Sequence, residues 1–588
     1  MSTFFRAGVI AVFIALAAST LSSAEILPSA VQSAIKRYKF SRNDVAIYIK
    51  QTGKNRVVAS LNIDKEMLPA SVIKVYSTYA ALLELGYDYR WPTKFYSTGK
   101  LKNGILYGDL VVKGFGDPTL RTADIAPIVS ALKAKGIRKI EGNIIIDRSY
   151  FTVPKRDSSH FDKNIYSAYN AMPDALMFNQ HLSKFTIAAK KGRHQIIKSI
   201  PGESYRVANK IKSVSKSCRG KRSWPSIRVN HASSTPVLVV SGVLSTKCPR
   251  RSYSYIITKP YKEFYEALRR QLKRSGIGYH GRMRISRVPA GAKILYTHYS
   301  APLEKIISVT AKKSNNLFAR HLLLTLGAKI YGAPANLDKG RRAVAQILNR
   351  YRLLDTPKCH IDNGCGLSRV SKITARSMAR VLDHAYKGYG RRWMRTLSIA
   401  GTDGTIRRRF RNTSVKNRAW MKTGALNNAK NITGYVKSKT GKLYTVVILT
   451  NGKRARWYGA KMQNDIIKWL VSYSGSGVPG GRDPMREELK LKDKVIWGDI
   501  TTEQASPATS SKASSASAKG YFVQVGSFGS VPNEAFLDRL RNGGFAYRVI
   551  ESEGHYKVLA GPYSDRAHAN DALSRLQEIA SGAYVTQL

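Results

Sequence analysis

Hydrophobic positions change their spacing along the chain, and each change predicts a new element. Val45–Lys50 and Arg56–Asn62 are rich in β-branched residues and flank a polar turn, which is typical of paired strands. After Pro69 the apolar residues recur at helical spacing as far as Gly86, which predicts a helix that ends at the glycine. Many short β-rich runs then fill residues 95–290.

Helical patterns return downstream of this β-rich region, near residues 303–327, 337–353 and 373–387. Two strand-like runs, Asn431–Lys437 and Leu443–Asn451, precede a final helical pattern near 457–473. The pattern therefore predicts an α/β body that is interrupted by a long β-rich insertion.

Composition sets the C-terminal part apart from this body. Gly475–Gly481 is rich in glycine and Thr501–Ala518 is dominated by Ser, Ala and Thr, so we expect a flexible linker over residues 475–519. Residues 520–588 regain a periodic pattern and carry six Lys or Arg against seven Asp or Glu, which predicts a separate small domain. A chain of 588 residues is too long for one core.

The N-terminus predicts export. Arg6 precedes the short apolar run Ala7–Ala18, and small residues lead to Ala24, which is the pattern of a secretory signal peptide over residues 1–24. The run is short for a membrane span, so the protein would be anchored in the membrane only if the signal stays uncleaved. We expect a periplasmic location.

The charge is strongly basic, with 98 Lys and Arg residues against 37 Asp and Glu residues, a net charge of +61. It is typical either of a solvated basic surface or of a polyanionic neighbour such as the cell wall. Export makes nucleic acid an improbable partner.

Four cysteines, Cys218, Cys248, Cys359 and Cys365, permit two disulfides in an oxidising compartment. Their order in the sequence suggests Cys218–Cys248 and Cys359–Cys365, although four cysteines allow three connectivities. No His and Cys spacing is that of a zinc site, and we expect no metal and no cofactor.

Candidate chemistry begins with Ser71-Val-Ile-Lys74 at the start of the predicted helix. Residues three apart lie on one helical face, so the lysine amine can reach the serine hydroxyl and act as its base. Ser33-Ala-Ile-Lys36 and Ser213-Val-Ser-Lys216 share the spacing, but a long apolar helical pattern follows only Ser71.

Two further motifs follow in order. Ser314-Asn-Asn316 opens a helical run, and Lys422-Thr-Gly424 leads into a strand whose edge could line a cleft. A second Lys-Thr-Gly, Lys439 to Gly441, lies between two strand-like runs and is interpreted as a hairpin turn.

The ordered motifs resemble those of penicillin-binding proteins and serine β-lactamases. The long separation between Ser71 and Ser314 is similar to that of the class C low-molecular-mass penicillin-binding proteins, the D-alanyl-D-alanine carboxypeptidase/endopeptidase family, which inserts domains there. Four further stretches are similar to this family: Lys113–Leu120, Tyr169–Leu176, Asp362–Arg369 and Ala400–Arg409. The family commonly has Ser where this chain has Cys365.

This resemblance implies a multi-domain α/β fold with a penicillin-binding/β-lactamase-like α+β-α sandwich and an inserted β-rich part. The sandwich would comprise residues 25–95 and 291–474, and the insertion residues 96–290. It also implies a penicillin-sensitive serine D,D-peptidase that cuts peptidoglycan stem peptides and binds β-lactam inhibitors. The balance between carboxypeptidase and endopeptidase activity stays open.

The resemblance further implies roles for single residues. Ser71 is the nucleophile and Lys74 its base, whose pKa would be lowered by partial burial and by Lys422. Ser314 relays the proton and Asn316 binds the substrate amide. The backbone N–H groups of Ser71 and Ala425 form the oxyanion hole, and Lys422, Thr423 and Gly424 hold the terminal carboxylate. Asp147 and Arg369 either contact the side chain of the stem peptide's third residue or form structural ion pairs.

Residues 520–588 resemble the SPOR family. Tyr521–Phe528, a helix from Asn533, Tyr556–Tyr563 and a helix from Asp565 follow its β-α-β-β-α-β order. The resemblance implies a small ferredoxin-like α+β domain that binds denuded glycan and enriches the protein at the division septum. It also carries the alternative hypothesis, a catalytically degenerate wall-binding protein that acts through its SPOR domain.

Overall fold

The computed structural model describes residues 25–475 except 155–160 and 163, then residues 477–479. In the C-terminal part it describes 521–587 with gaps at 529–531, 533–535, 538, 541–544, 546, 553–554, 564–565 and 581. The expected signal peptide and nearly all of the expected linker lie outside the described residues.

A seven-stranded sheet forms the centre of the main body. Its strands lie side by side in the order Ser398–Ile399, Ala419–Leu426, Ala429–Lys437, Leu443–Thr450, Val45–Gln51, Arg56–Leu61 and Val478–Pro479. Strands from both ends of the body pair directly, since Val45–Gln51 is antiparallel to Leu443–Thr450. The central sheet is therefore completed only by strands that follow the insertion in the sequence.

Both faces of this sheet are covered, which explains why its strands are nearly continuous apolar runs. Ile47 packs in a core with the helices Ser29–Arg37 and Ala460–Ser472, while Tyr48 points into the opposite core. The opposite face carries the helices Lys74–Leu85, Leu303–Lys312, Asn316–Tyr331, Leu337–Arg350 and Ala375–Thr396. Lys74–Leu85 is the central helix of this layer.

The insertion contains a five-stranded sheet in the order Met283–Ile285, Ile144–Asp147, Leu110–Gly114, Pro92–Ser97 and Lys293–Tyr299. A smaller sheet joins Gly278–Tyr279, Lys139–Ile140, Ile105–Tyr107 and Lys100–Lys102. Two helices that the β-rich pattern did not predict, Thr122–Ala134 and Pro260–Arg274, complete its core. The boundary expected at residue 95 falls inside the strand Pro92–Ser97.

Two three-stranded sheets form the rest of the insertion. One joins Arg193–Lys198, Ser183–Lys190 and Arg251–Tyr255, and the other joins Arg206–Val214, Val237–Ser245 and Ser226–Asn230. The disulfide Cys218–Cys248 lies beside this second sheet.

The suggested second disulfide is wrong, because Cys359 and Cys365 are both free thiols. The Cys365 Sγ is buried and donates a hydrogen bond to Asn363 Oδ1 at 3.1 Å. Cys359 is only partly buried and packs at the border of the main core. Two cysteines that are close in sequence are thus directed to different surroundings by the loop between them.

The C-terminal part forms a four-stranded antiparallel sheet in the order Tyr547–Ser552, His555–Tyr563, Tyr521–Phe528 and Tyr584–Gln587. Helix Arg566–Ile579 packs on it. The helix expected from Asn533 lies largely outside the described residues. Within the part of the chain that the structure describes, no helix is both long and apolar enough to cross a bilayer.

Candidate active site

Ser71 lies in a single 3-10 turn, Ala70–Ile73, that leads directly into helix Lys74–Leu85. Ala70 has a φ of +48°, a conformation that costs energy for a residue with a side chain and that clusters at functional sites. The Ser71 hydroxyl donates to the Cys365 carbonyl at 3.3 Å. The turn therefore presents this hydroxyl to the loop that contains Cys365.

Lys74 has no exposed surface, and its Nζ has three partners. It lies 2.8 Å from Ser71 Oγ and 2.8 Å from Asn316 Oδ1, and it donates to the Cys365 carbonyl. The amide oxygen and the carbonyl can only accept, so they hold two N–H groups of the amine. The remaining position on nitrogen faces Ser71, where a neutral amine would place its lone pair.

The pKa of the Lys74 amine is lowered from 10.5 to about 8, mainly by burial, which Cys365 opposes and the Arg320 guanidinium assists. Arg320 is a nearby cation that the sequence motifs did not predict, and the charges of Lys74 and Lys422 also repel each other. Arg320 is fully buried in the helix that begins at Asn316, and its Nη1 donates to the Ala171 carbonyl at 2.9 Å. The neutral form of Lys74 is therefore more populated near pH 8 than that of an ordinary lysine.

Ser314 and Asn316 lie at the start of helix Asn316–Tyr331, which Asn315 caps by accepting from the Phe318 N–H at 3.1 Å. Ser314 has a φ of +53°, and its hydroxyl accepts from Lys422 Nζ at 3.0 Å. Asn316 donates its Nδ2 to the Tyr169 carbonyl at 3.0 Å. One polar chain thus connects Ser71, Lys74 and Asn316, and a second connects Lys422 and Ser314.

Lys422 is fully buried in strand Ala419–Leu426. Its pKa lies well below the ordinary lysine value, first because of burial and then because of the charge on Lys74. The neighbouring short strand pairs only with Trp420 and Met421. Among the described residues, no strand pairs with this edge from Lys422 onward, which leaves it open to an extended peptide.

Two glycines let the surrounding segments approach the nucleophile turn. A Cβ on Gly424 would lie 2.9 Å from the Ser71 nitrogen, so only glycine lets the strand pass this closely. A Cβ on Gly366 would lie 1.9 Å from the Ala70 carbonyl oxygen, and Gly366 also has a φ of +79°. Ala425, which follows Gly424 and is exposed, therefore lies beside the turn that holds Ser71.

Thr423 also faces this region, and its hydroxyl donates to the Thr405 hydroxyl at 2.8 Å. Arg369 lies on the loop that contains Cys365, where it stacks on Phe161 and donates to the Phe161 carbonyl at 3.2 Å. The structure thus brings Arg369 to the loop beside the site but gives it a local partner.

Asp147 makes its polar contacts within the insertion. It is buried in the five-stranded sheet of the insertion, where it accepts from the backbone N–H groups of Ser149 at 2.8 Å and Val288 at 3.0 Å. Lys113 Nζ lies 3.4 Å from it. These contacts, largest among them the hydrogen bonds of Ser149, hold the pKa of Asp147 below its ordinary value against the opposing effect of burial. These partners favour the interpretation of Asp147 as part of a structural ion pair, and its role as a substrate contact stays a prediction.

The competing motif copies lie elsewhere. Ser33 and Lys36 are exposed on the first helix. Ser213 interacts with His194, whose backbone N–H lies 3.1 Å from its hydroxyl. Lys439 lies in the turn between strands Ala429–Lys437 and Leu443–Thr450. Reasoning from the sequence assigned no role to Arg320, Tyr169, Thr405 or the Cys365 carbonyl. Tyr169, Thr405 and Cys365 lie in the stretches that are similar to the family, whereas Arg320 lies outside them.

Within the described part of the chain, no group of three His, Cys, Asp or Glu side chains is arranged to hold a metal ion. The cluster of two buried lysines, two serines and an asparagine is an arrangement for acid–base chemistry on a serine hydroxyl.

The fold is that of a solved penicillin-binding protein. The crystal structure of penicillin binding protein 4 (dacB) from Haemophilus influenzae superimposes with a TM-score of 0.66 at 24% sequence identity, and the match covers 75% of this chain and 99% of that chain. At this identity the likeness concerns the fold.

Residues 27–473 match the D-Ala-D-Ala carboxypeptidase 3 (S13) family, and the chain belongs to that family of hydrolases. Residues 517–587 match the SPOR domain. The chain is 28% identical over 416 residues to D-alanyl-D-alanine carboxypeptidase DacB of Haemophilus influenzae, covering 70% of this chain and 86% of that protein. It is 25% identical over 457 residues to the D-alanyl-D-alanine carboxypeptidase of an Actinomadura species, covering 75% and 83% respectively. The resemblances inferred from the motifs are confirmed.

The close approach of Gly366 generates a prediction. Gly366→Ala should lower the free energy of unfolding by about 1–3 kcal/mol and displace the Cys365 carbonyl from Ser71 and Lys74, because the new methyl group collides with the Ala70 carbonyl. Denaturant unfolding measures the first effect and D-Ala release the second. Gly388→Ala is the matched control, since its Cβ meets no atom within 4 Å in helix Ala375–Thr396. Equal behaviour of the two variants would contradict the packing argument.

Proposed function

We propose that this protein is a serine-type D-Ala-D-Ala carboxypeptidase and D,D-endopeptidase that acts on peptidoglycan stem peptides through a penicillin-sensitive acyl-enzyme. The observation that carries the proposal is the buried Lys74 amine, which lies 2.8 Å from Ser71 Oγ and has a pKa of about 8. A free serine hydroxyl is a weak nucleophile, and an adjacent neutral amine is what activates it.

In the first step the neutral amine of Lys74 takes the hydroxyl proton while Ser71 Oγ bonds to the carbonyl carbon of the penultimate D-Ala. The backbone N–H groups of Ser71 and Ala425 donate to the oxyanion, where one such donor is worth about 3–4 kcal/mol. The C–N bond then breaks, and Ser314 passes a proton to the departing amine. Water attacks the resulting ester, releases the shortened peptide and restores the Ser71 hydroxyl.

The open edge of strand Ala419–Leu426 supports binding of the substrate as an added strand. Lys422, Thr423 and Gly424 would hold the terminal carboxylate together with Thr405, whose hydroxyl lies 2.8 Å from that of Thr423. An incoming carboxylate favours the charged form of Lys422 and so offsets its lowered pKa. Asn316 would contact the substrate amide, and Arg369 would contact the side chain of the stem peptide's third residue.

The competing hypothesis is a degenerate enzyme that only binds the wall. The contacts of Lys74 and Lys422 argue against this hypothesis. A degenerate site that had lost the partners of two buried lysine amines would carry a large energetic cost, whereas here both amines have their partners. We further propose that the SPOR domain binds denuded glycan in the periplasm and concentrates the protein at division septa.

The nucleophile can be tested against its decoys. Ser71→Ala should abolish both covalent labelling by a fluorescent penicillin and release of D-Ala, because no other described hydroxyl lies within hydrogen-bonding distance of Lys74 Nζ. Ser33→Ala and Ser213→Ala should retain both activities, and the second should lose about 1 kcal/mol of stability along with its hydrogen bond. Labelling that survives Ser71→Ala but not a decoy change refutes the assignment.

Wall binding by the two ends of the chain should differ in its response to salt. The body carries the basic excess, so its attraction to purified sacculi should weaken as the Debye length falls from about 10 Å at 0.1 M to about 3 Å at 1 M salt. The full mature chain should keep a salt-resistant part of its binding, which a chain ending at residue 475 should lack. Co-sedimentation across a salt series measures both. Identical salt profiles would exclude a separate contribution from the SPOR domain.

A further inference from the structure

A cavity distinct from the candidate active site lies beside the segment that carries Ser314 and Asn316. It encloses about 600 Å³ between the insertion and the helices Leu303–Lys312 and Asn316–Tyr331. Lys313 and Phe318, which flank the catalytic segment, line it, whereas Ser71, Lys74, Ser314, Asn316 and Lys422 do not. It is therefore separate from the proposed active site, and its volume is that of sites for small or short-peptide ligands.

The charges on the cavity wall are not paired with each other. Lys184, Lys305 and Lys313 are exposed at the cavity, and none of them has an acidic partner within ion-pair distance among the described residues. Arg121 Nε lies 4.0 Å from Asp124 Oδ2, at the outer limit of an ion pair. Four cations therefore face a cavity that contains only two carboxylates, those of Asp124 and Glu203. The surplus favours a ligand that carries carboxylates.

Glu203 supplies the opposite charge within the wall. It is 5% exposed, and its Oε2 forms no hydrogen bond of normal geometry within the described part of the chain. The buried hydroxyls of Ser183 and Tyr205 lie beside it and favour its charged form, although neither reaches the geometry of a full hydrogen bond. The charge of Lys198 also acts on Glu203, but its amine donates to the backbone carbonyls of Glu203 and Tyr205 and forms no ion pair with the carboxylate among the described residues.

This leaves a buried carboxylate without a matched cation. Burial and the neighbouring Glu263 raise the pKa of Glu203 to about 7, as expected where the charged form lacks a partner. A ligand ammonium group would complete the missing pair.

The cavity wall is also connected to the catalytic segment. Gln180, which lines the cavity, accepts a hydrogen bond from Asn315 Nδ2 at 3.0 Å. Asn179, Gln180 and His181 all have positive φ values, of 48°, 56° and 58°. Three consecutive residues in this unfavourable conformation hold the side chain of Gln180 against the residue that caps the catalytic helix.

We propose that this cavity is a second peptide-binding site, which takes a short peptide carrying free carboxylates and one ammonium group. Its carboxylates would meet Lys184, Lys305 and Lys313, and its ammonium group would meet Glu203. The identity of the peptide as a neighbouring stem peptide of the same wall rests on the proposed function, whereas the charge pattern does not. A neutral glycan offers neither charge and is the less suitable ligand.

The test is calorimetric titration of the full mature chain carrying Ser71→Ala with Nα-acetyl-L-alanyl-γ-D-glutamyl-L-lysine, which contains no D-Ala-D-Ala bond and carries two carboxylates and one ammonium group. Saturable one-to-one binding is expected. Adding Glu203→Gln, or Lys184→Ala with Lys305→Ala, should weaken it at least tenfold. Acetylating the lysine side chain of the peptide should weaken it equally. Glu66→Gln and Lys293→Ala, which change exposed charges elsewhere, should leave the affinity unchanged.

Three results overturn the proposal: absence of saturable binding, an affinity that none of the cavity changes alters, or binding that is lost only with Lys422→Ala, which would place the peptide in the active site. If Glu203→Gln impairs folding, seen as a lowered Tm, the exposed lysine pair decides the outcome. Penicillin labelling of the otherwise unchanged protein is scored separately. Its failure refutes the proposed function and leaves the titration interpretable.

Discussion

The buried amine of Lys74 is the constraint on which the rest of the site depends. A lysine in an apolar core is costly when charged, and the cost falls if the amine loses its proton or finds several partners. The structure does both, because burial lowers the pKa to about 8 and Ser71, Asn316 and the Cys365 carbonyl surround the nitrogen. The environment that raises the free energy of the charged amine also makes Lys74 a base suited to pH values near neutrality.

Holding those partners in place requires segments that are remote in sequence to converge on one turn. Gly366 and Gly424 permit the convergence, since a methyl group at either position would collide with the turn that carries Ser71. The insertion contributes as well, because its backbone carbonyls at Gly116, Tyr169 and Ala171 accept hydrogen bonds from His321, Asn316 and Arg320. The insertion thus supports the helix on which the second motif lies and is part of the catalytic architecture.

Sequence patterns were informative wherever side-chain type decides the structure. The apolar spacing after Pro69 predicted the central helix, and the ordered motifs predicted the family that residues 27–473 match. The two Lys-Thr-Gly copies could be distinguished because the copy that begins at Lys439 lies between two strand-like runs. In the structure this copy lies in the turn between strands Ala429–Lys437 and Leu443–Thr450. The features that the sequence did not predict depend on the backbone and on tertiary packing. A backbone carbonyl such as that of Cys365 has no sequence signature, and Arg320 resembles any other helical arginine. The helices of the insertion lie among short apolar runs, which periodicity alone cannot distinguish from strands.

The central claim is that Lys74 acts as a neutral base, and the pH dependence of acylation tests it most directly. Lys74 has a lowered pKa, so the reactive neutral amine is scarce well below pH 8 and predominates well above it. The second-order rate constant for acylation by a penicillin, measured by stopped-flow between pH 6 and 10, should therefore rise and level off with a midpoint near pH 8. A rate that is independent of pH over this range, or one that is still rising at pH 10 as expected for an ordinary lysine of pKa 10.5, would contradict the account.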